Sequence, residues 1–366
     1  MIEADAVIVD DTLDESNSDT HRFEFRGTAA EYFRIWAVNI ALSILTLGIY
    51  SAWAKVRTKR YFYGNTFLDG ENFEYHANPL SILIARLMLV AVVVFGSLLA
   101  QHLGATEDVS YTIVLLLFLP WAWVRGLSFN ARNSSHRNIR FVFDRAYGFP
   151  YLFYVVFITP FIVVFLPWLI RGYHRFKCAR HRWGGLHFVF GCPREFSSSR
   201  HNPEGPPIWP YLVVFWLGGV VFIILLSLLS IVVFSSESDP YLPFEVGFPM
   251  MFLLMLIFYF KVQSHMLRLF WNSVRTANRA TFVCEFTARE FAYSILLVNF
   301  LATMFTLGLL HPWAKVRKTR FLANRIKIIA PSGALNDIVS RRREKESAFG
   351  EEFDASEGFD FDVGII

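Results

Sequence analysis

The chain has 366 residues, of which 54% are hydrophobic and 18% are charged. Soluble domains carry about 25% charged residues, so this composition excludes an ordinary soluble domain. The net charge of +4 conceals acidic termini and basic connections, and we predict no nucleic-acid partner.

Residues 1–21 form an acidic and polar N-terminal segment. A cleavable signal peptide needs a basic start followed by an apolar centre, and this segment has neither. We predict that it is disordered and that the first apolar segment directs the chain to the membrane.

Seven apolar segments follow along the chain. A run of about 20 apolar residues is long enough to span the hydrocarbon core of a bilayer as a helix. The segments are Tyr32–Trp53, Leu80–Gly104, Ser110–Trp123, Phe149–Trp168, Trp209–Phe234, Phe244–Phe260 and Phe291–Trp313.

The distribution of Lys and Arg argues against seven simple crossings. Five connections are basic and two short ones are acidic, and basic connections accumulate on the cytoplasmic side. We therefore predict two transmembrane hairpins, 80–123 and 209–260, with their acidic turns outside. The other three segments would enter and leave from the cytosolic face as broken, re-entrant or interfacial helices. Three ordinary spans that violate the charge rule are the alternative.

Each of those three segments contains a helix-weakening break. The breaks are Thr46-Leu47-Gly48, Thr159-Pro160 and Thr306-Leu307-Gly308, and backbone groups released by Gly or Pro must be satisfied inside protein at membrane depth. Each segment also ends in Trp followed by Arg or Lys, which is typical of the membrane interface.

Short stretches of alternating aromatic and β-branched residues flank the broken segments and predict β-strands. The repeated unit is strand, broken helix, basic helix, turn and strand, near 22–75, 141–190 and 281–328. The predicted fold is an α-helical multi-pass membrane protein, built from these repeats within 22–330 plus the two hairpins. Its short strands would form a small cytosolic sheet. Residues 331–366 are predicted to be a charged C-terminal tail, and both termini to be cytoplasmic.

Three stretches carry a family resemblance: TLGIYSAWAKVRTKRYFYGNT, FVFDRAYGF and TLGLLHPWAKVRKTRFLANR. Together they resemble the YjgN-type family of bacterial inner-membrane proteins, a domain of unknown function. The resemblance covers Arg22 to Ile329, and the middle copy departs from it with Thr159-Pro160. It implies a multi-pass protein of the inner membrane and no established activity.

The basic helices after the outer breaks carry the first candidate site. Residues three apart on a helix share a face, and Arg side chains there can bind anionic lipid headgroups or an anionic solute. Simple anchoring of the topology is the alternative. The candidate residues are Trp53, Lys55, Arg57, Arg60, Arg171, Trp313, Lys315, Arg317 and Arg320.

Asn39, Arg86 and Asn299 are polar residues inside apolar segments. Intramembrane polar groups are candidates for function, and the two asparagines could bond broken helices around a solute. Ordinary helix–helix packing is the favoured interpretation of the asparagines, and Arg86 is near enough to its helix end to reach the interface.

No catalytic group, cofactor or metal site is predicted. The His and Cys residues of the middle copy match no standard zinc spacing, and the outer copies have no equivalent. They are His174, Cys178, His181, His187 and Cys192. Cysteines in cytosolic connections are expected to be free thiols.

Two functions remain open from the sequence, and neither is enzymatic. The first is a transporter or channel-like protein for a small anionic solute or lipid. The second is a non-transporting membrane scaffold or lipid-binding protein at the cytosolic leaflet. Membrane lipids, chiefly anionic ones, are the expected partners, and a homo-oligomer is a further alternative.

Overall fold

The computed structural model describes most of the chain between its two termini. The described residues are 18–333 except 103, 105–106, 159–161, 192–208, 214–215, 217, 235–247 and 277–279.

Ten antiparallel strands in the described residues form a closed barrel. Each strand pairs with its neighbours in sequence, and β1 pairs with β10 to close the ring. The strands are β1 Ser18–Phe25, β2 Thr66–Leu68, β3 Glu71–Tyr75, β4 Ser134–His136, β5 Ile139–Phe143, β6 His181–Trp183, β7 Leu186–Phe190, β8 Val274–Thr276, β9 Thr281–Cys284 and β10 Ile326–Pro331.

The helices lie in the connections between strand pairs. A π-helical segment, Phe291–Leu297, precedes α11. The α-helices are α1 Ala29–Leu45, α2 Ser51–Gly64, α3 Pro79–His102, α4 Glu107–Arg132, α5 Gly148–Ile158, α6 Ile162–Ala179, α7 Trp209–Leu212, α8 Gly218–Phe234, α9 Phe248–Ser273, α10 Ala288–Glu290, α11 Val298–Phe305 and α12 His311–Arg325.

The two ends of the barrel differ in kind. At one end, two-residue turns join β2 to β3 and β4 to β5. Asp69 and Gly70 have φ of 52° and 82°, and Arg137 and Asn138 have φ of 53° and 61°, as type I′ hairpin turns require. At the other end the strands lead into the helices, beginning with α1 and α2 between β1 and β2. All described helical connections therefore leave the barrel on the same side.

Phenylalanines at one level line the interior of the barrel. Alternation along a strand places every second side chain inside, and one such position recurs on each odd-numbered strand. The ring centroids of Phe23 and Phe73 are 6.2 Å apart, those of Phe73 and Phe141 are 6.5 Å apart, and those of Phe188 and Phe282 are 6.3 Å apart. Aromatic contacts between strands thus line the middle of the barrel.

The predicted fold class, an α-helical multi-pass protein with a small sheet, is wrong. The closed barrel overturns it. Its strands flank the two predicted transmembrane hairpins as well as the three predicted repeat units, so the sheet involves the whole described chain. Strands such as β2 and β4 have only three residues, which is too short for a periodic pattern to reveal them.

The prediction of two transmembrane hairpins, and thus of four membrane spans, is corrected at the same time. Among the described residues, two helical stretches are long and apolar enough to cross a membrane, Pro79–Leu99 and Pro249–Ser273. The helix α8, within the second predicted hairpin, has 17 residues. The strand β1 also begins at Ser18, so residues 18–21 belong to the barrel, whereas the Thr159-Pro160 break and residues 334–366 lie outside the described residues.

Replacing Phe141 by Ala should destabilise the barrel, because it removes ring contacts with Phe73 and with Trp183 at 6.1 Å. We expect a loss of about 1–3 kcal/mol, since Phe141 is partly buried and its truncation leaves part of that space unfilled. The midpoint of denaturation in detergent, followed by tryptophan fluorescence, measures it. Val142→Ala is the control: that neighbouring side chain is 41% exposed, and its loss should cost less than about 0.5 kcal/mol. Equal effects would contradict an aromatic barrel interior.

Candidate functional site

The turn between α1 and α2 satisfies its own polar groups. The Thr46 hydroxyl donates to the Leu42 carbonyl at 2.8 Å and accepts from the Tyr50 amide at 2.9 Å. The Gly48 amide donates to the Ser43 carbonyl at 2.7 Å. A chain reversal that needs no water for these groups can lie in an apolar environment.

The turn between α11 and α12 has the same geometry. Leu307 and Gly308 have φ of 50° and 92°, against 49° and 91° for Leu47 and Gly48. The Thr306 hydroxyl again donates four residues back and accepts from the amide four residues on. A positive φ suits Gly but is uncommon for Leu, so both turns hold a leucine in an unfavourable backbone conformation.

The two turns carry exposed apolar side chains. Leu47 and Leu307 are each 95% exposed, and Leu45 and Phe305 are each 77% exposed. Further exposed apolar residues surround them: Ile44, Ile49, Met304, Leu309 and Leu310. Contiguous exposed apolar surface marks a contact with lipid or with another molecule.

Two of the predicted site arginines hold strand ends in place. Arg60 on α2 donates to the carbonyls of Tyr75 and Ala77 at 3.3 and 3.2 Å. Arg320 on α12 donates to the carbonyl of Gly27, just after β1, at 2.7 Å. The matching positions on the two helices therefore make matching contacts with the next odd-numbered strand.

The buried asparagines join the two helices of each outer pair. Asn39 donates to the Ala54 carbonyl at 3.3 Å. Asn299 donates to the Ala314 carbonyl at 2.9 Å and accepts from Arg317 at 3.2 Å. An arginine, Arg317, donates to the side-chain oxygen of the asparagine in the last pair, whereas the Asn39 oxygen has no such partner among the described residues.

The other predicted site residues are spread over several helices. Arg86 on α3 donates to the Ser51 hydroxyl at 2.5 Å. Trp53 stacks on Tyr50 with centroids 6.2 Å apart, and Lys55 and Arg57 lie on the same helix α2. Arg171 lies on α6, and Lys315 on α12 reaches over the Phe62 ring at 4.8 Å.

One cavity brings three of the predicted residues together: Trp313, Arg317 and Arg320. It has a volume of about 440 Å³ and lies where α12 and the π-helical segment meet the start of α1. The remaining lining residues are Ala29, Ile295, Val316, Phe321, Asn324 and Arg325. The predicted residues of α2 and α6 do not line it.

Sequence reasoning missed Arg325 and Asn324, which end α12. Arg325 lies five residues after Arg320, and a basic residue in the last turn of a helix is the pattern that would have indicated it. Its guanidinium pairs with Glu290 at 3.0 Å and lies 5.6 Å from the Phe321 centroid.

A carboxylate near the barrel end of the site, that of Glu285, is paired with a cation outside the cavity lining. A hydrogen bond from Lys327, with an O–N distance of 2.6 Å, holds the pKa of Glu285 below its ordinary value. Glu285 is thus ionised and paired with Lys327, and it does not line the cavity. The cavity consequently has a basic lining.

The His and Cys residues of the middle copy make ordinary contacts. Nδ1 of His174 lies 3.4 Å from the Tyr211 hydroxyl, and Nδ1 of His181 lies 2.5 Å from the Lys177 carbonyl. Burial lowers the pKa of His181 to about 4, which keeps the ring neutral. Cys192 lies outside the described residues, among which no three potential metal ligands cluster.

Comparison with known proteins identifies the family of this chain and several relatives. A family model described as a bacterial protein of unknown function (DUF898) matches residues 20–355. The chain belongs to this family. The family resemblance found in the sequence is thereby confirmed, and no solved structure matches the chain.

Curated relatives of the chain are named inner membrane protein YjgN. One from an Escherichia coli strain is 33% identical over 136 residues, which are 36% of this chain and 33% of the relative. One from Salmonella typhimurium is 28% identical over 138 residues, which are 37% of this chain and 34% of the relative. The matched part thus spans about a third of these inner-membrane proteins.

Replacing Asn299 by Ala should destabilise the protein more than replacing Asn39 by Ala. Asn299 loses a 2.9 Å bond and leaves Arg317 without its amide partner, for which we expect about 1–3 kcal/mol. The Asn39 bonds are longer, and its buried Oδ1 has no hydrogen-bond partner among the described residues. Denaturation midpoints of both variants in detergent test this, and an equal loss would contradict it.

Proposed function

We propose that this protein is an inner-membrane lipid-binding protein that does not transport. The turns of α1–α2 and α11–α12 enter the hydrocarbon region from the cytosolic side. The barrel stays at the membrane surface, and the basic faces of α2 and α12 meet anionic headgroups. The inner-membrane names of the relatives support this location.

The exposed apolar turns carry the proposal. Leu47 and Leu307 are almost fully exposed, yet the backbone groups around them are bonded within each turn. Water would be a poor environment for these side chains, and lipid is a tolerable one for this backbone. A strained leucine at the same place in both turns also favours function, because unfavourable backbone conformations concentrate at functional positions.

Helix length favours entry without crossing. With 14 and 15 residues, α2 and α12 are about 21 and 22 Å long, whereas the hydrocarbon core is about 30 Å thick. The turns would therefore end inside the bilayer. The longer apolar stretches of α3 and α9 supply deeper contact.

The basic residues lie where headgroups would be. Lys55 and Arg57 fall in the first two turns of α2, and Lys315 and Arg317 fall in the first two turns of α12. A Lys or Arg near an anionic leaflet contributes about 1 kcal/mol of attraction. Anionic lipids are therefore the proposed partners of both helices.

The alternative of a transporter for a small anionic solute has weaker support. A path along the barrel axis would pass the phenylalanines that line its interior. Phenylalanine side chains offer no hydrogen-bond donor that could replace the hydration shell of an anion, so they suit a dehydrated anion poorly. Uptake of labelled anions into proteoliposomes at a rate above that of protein-free vesicles would favour this alternative.

The depth of the two turns tests the proposal. Leu47→Cys and Leu307→Cys, each in a chain without native cysteines, are labelled with an environment-sensitive fluorophore and placed in anionic vesicles. We expect blue-shifted emission and protection from aqueous iodide, because the labels would lie in hydrocarbon. Val189→Cys is the matched control, since that exposed side chain lies on a barrel strand. If labels at 47 and 307 were as open to iodide as the label at 189, the proposal would be wrong.

A further inference from the structure

We propose that the cavity beside α12 binds the phosphate group of an anionic phospholipid. This inference rests on the proposed function, because it assigns a ligand to one of the basic faces that meet the leaflet. The ligand class is a phosphate ester with apolar chains, and Arg317, Arg320 and Arg325 are its proposed phosphate partners.

The three arginines have donors to offer. A guanidinium carries five N–H groups in a planar fork that matches phosphate oxygens. Arg317 uses one for Asn299, Arg320 uses one for Gly27, and Arg325 uses two for its contacts near the barrel. These bonds to described residues fix each side chain in position and leave most of its donors for a ligand.

The cavity lining is positively charged. Its nine lining residues include three arginines and no acidic residue. Glu290 pairs with Arg325 from outside the lining, which offsets one of the three charges. Arg317 and Arg320 have no carboxylate partner among the described residues, and two such cations around one pocket suit an anion that carries at least one charge.

The polarity of the cavity changes along its length. From Trp313 to Arg325 the helix rises by about 18 Å. Trp313 lies near the apolar turn and Arg325 lies at the barrel end, with Ile295 and Val316 also lining the cavity. A phospholipid fits this order, with its phosphate toward Arg320 and its chains toward the turn that we place in hydrocarbon. The volume of about 440 Å³ lies in the range of small-molecule sites.

The first helix pair lacks two features of the last one. Residues 291–297 form a π-helix, whereas α1 is α-helical throughout, and π-helical segments occur frequently at functional sites. Ile295 of this segment lines the cavity. In addition, the residue of the first pair that corresponds to Arg325 is Asn65, which follows the end of α2 and carries no charge. The geometry therefore assigns the phosphate site to the last pair.

Binding of short-chain lipids to the full-length protein in non-ionic detergent tests the site. The probes are dihexanoyl phosphatidylglycerol, dihexanoyl phosphatidylcholine and inorganic phosphate, measured by calorimetry. We expect the phosphatidylglycerol to bind more tightly than the other two, because only it combines net negative charge with apolar chains. Equal affinity for inorganic phosphate would assign a free-phosphate site and overturn the lipid assignment.

Two variants locate the binding within the cavity. Arg317→Gln removes one cation and keeps an amide that can bond Asn299, and Asn324→Glu adds a carboxylate at an exposed lining position. Each should weaken phosphatidylglycerol binding about tenfold or more, since a hydrogen bond to a charged group is lost or opposed. Arg140→Gln is the control, because Arg140 is an exposed arginine on the barrel strand β5, and it should change affinity less than about twofold.

The outcomes separate this inference from the proposed function. Wild-type affinity in both cavity variants, or an equal loss in Arg140→Gln, would overturn the phosphate site. If Arg317→Gln lowers the denaturation midpoint, its affinity reflects lost stability, and the phosphate site is then tested by Asn324→Glu alone. A labelled Leu307→Cys that stays protected from iodide would in that case leave the membrane entry intact. A label at 307 open to iodide would instead remove the proposed function, whatever the cavity binds.

Discussion

Closure of the barrel through β1 and β10 is the constraint on which the rest of the structure depends. Ser18 pairs with Pro331 and Arg22 with Lys327, so the two ends of the described chain become neighbours. Three-residue strands in an open sheet would leave weak, unpaired edges, and closure gives every strand two partners. It also sets α12 against β1 and the start of α1, where Arg320 reaches Gly27. Without closure the cavity would lose its wall at Ala29.

The barrel and the helices divide the physical work. In the barrel, strand pairing satisfies the backbone hydrogen bonds and aromatic rings line the interior. The helices expose apolar surface at the end of the molecule opposite the two-residue turns. The Thr-Leu-Gly turns also satisfy their own polar groups. Hydrogen bonds from hydroxyl and amide groups within each turn replace the water that would otherwise solvate the backbone. An apolar tip and a basic helix that follows it suit the boundary between lipid tails and headgroups.

The first and last helix pairs show how similar sequences come to differ. Both have the turn, the buried asparagine and an arginine that holds a strand end. Only the last pair adds the π-helical segment, the contact between Arg317 and Asn299, and Arg325. The π-helical segment and Arg325 thus distinguish the last pair, where the cavity that we propose for an anion lies, from the first pair.

The sequence by itself determined the apolar composition, the family and the two breaks at Thr46 and Thr306, and it named Trp313, Arg317 and Arg320 among nine candidate site residues. These features are local, so residue type and spacing are enough to reveal them. The tertiary structure alone decided that the strands close into a barrel, since pairing between β1 and β10 joins residues more than 300 positions apart. It likewise decided which arginines line a cavity, because Ala29, Ile295 and Arg325 meet only after closure. Local patterns carry no information about such contacts, and this is why Arg57 and Arg317 were indistinguishable in the sequence.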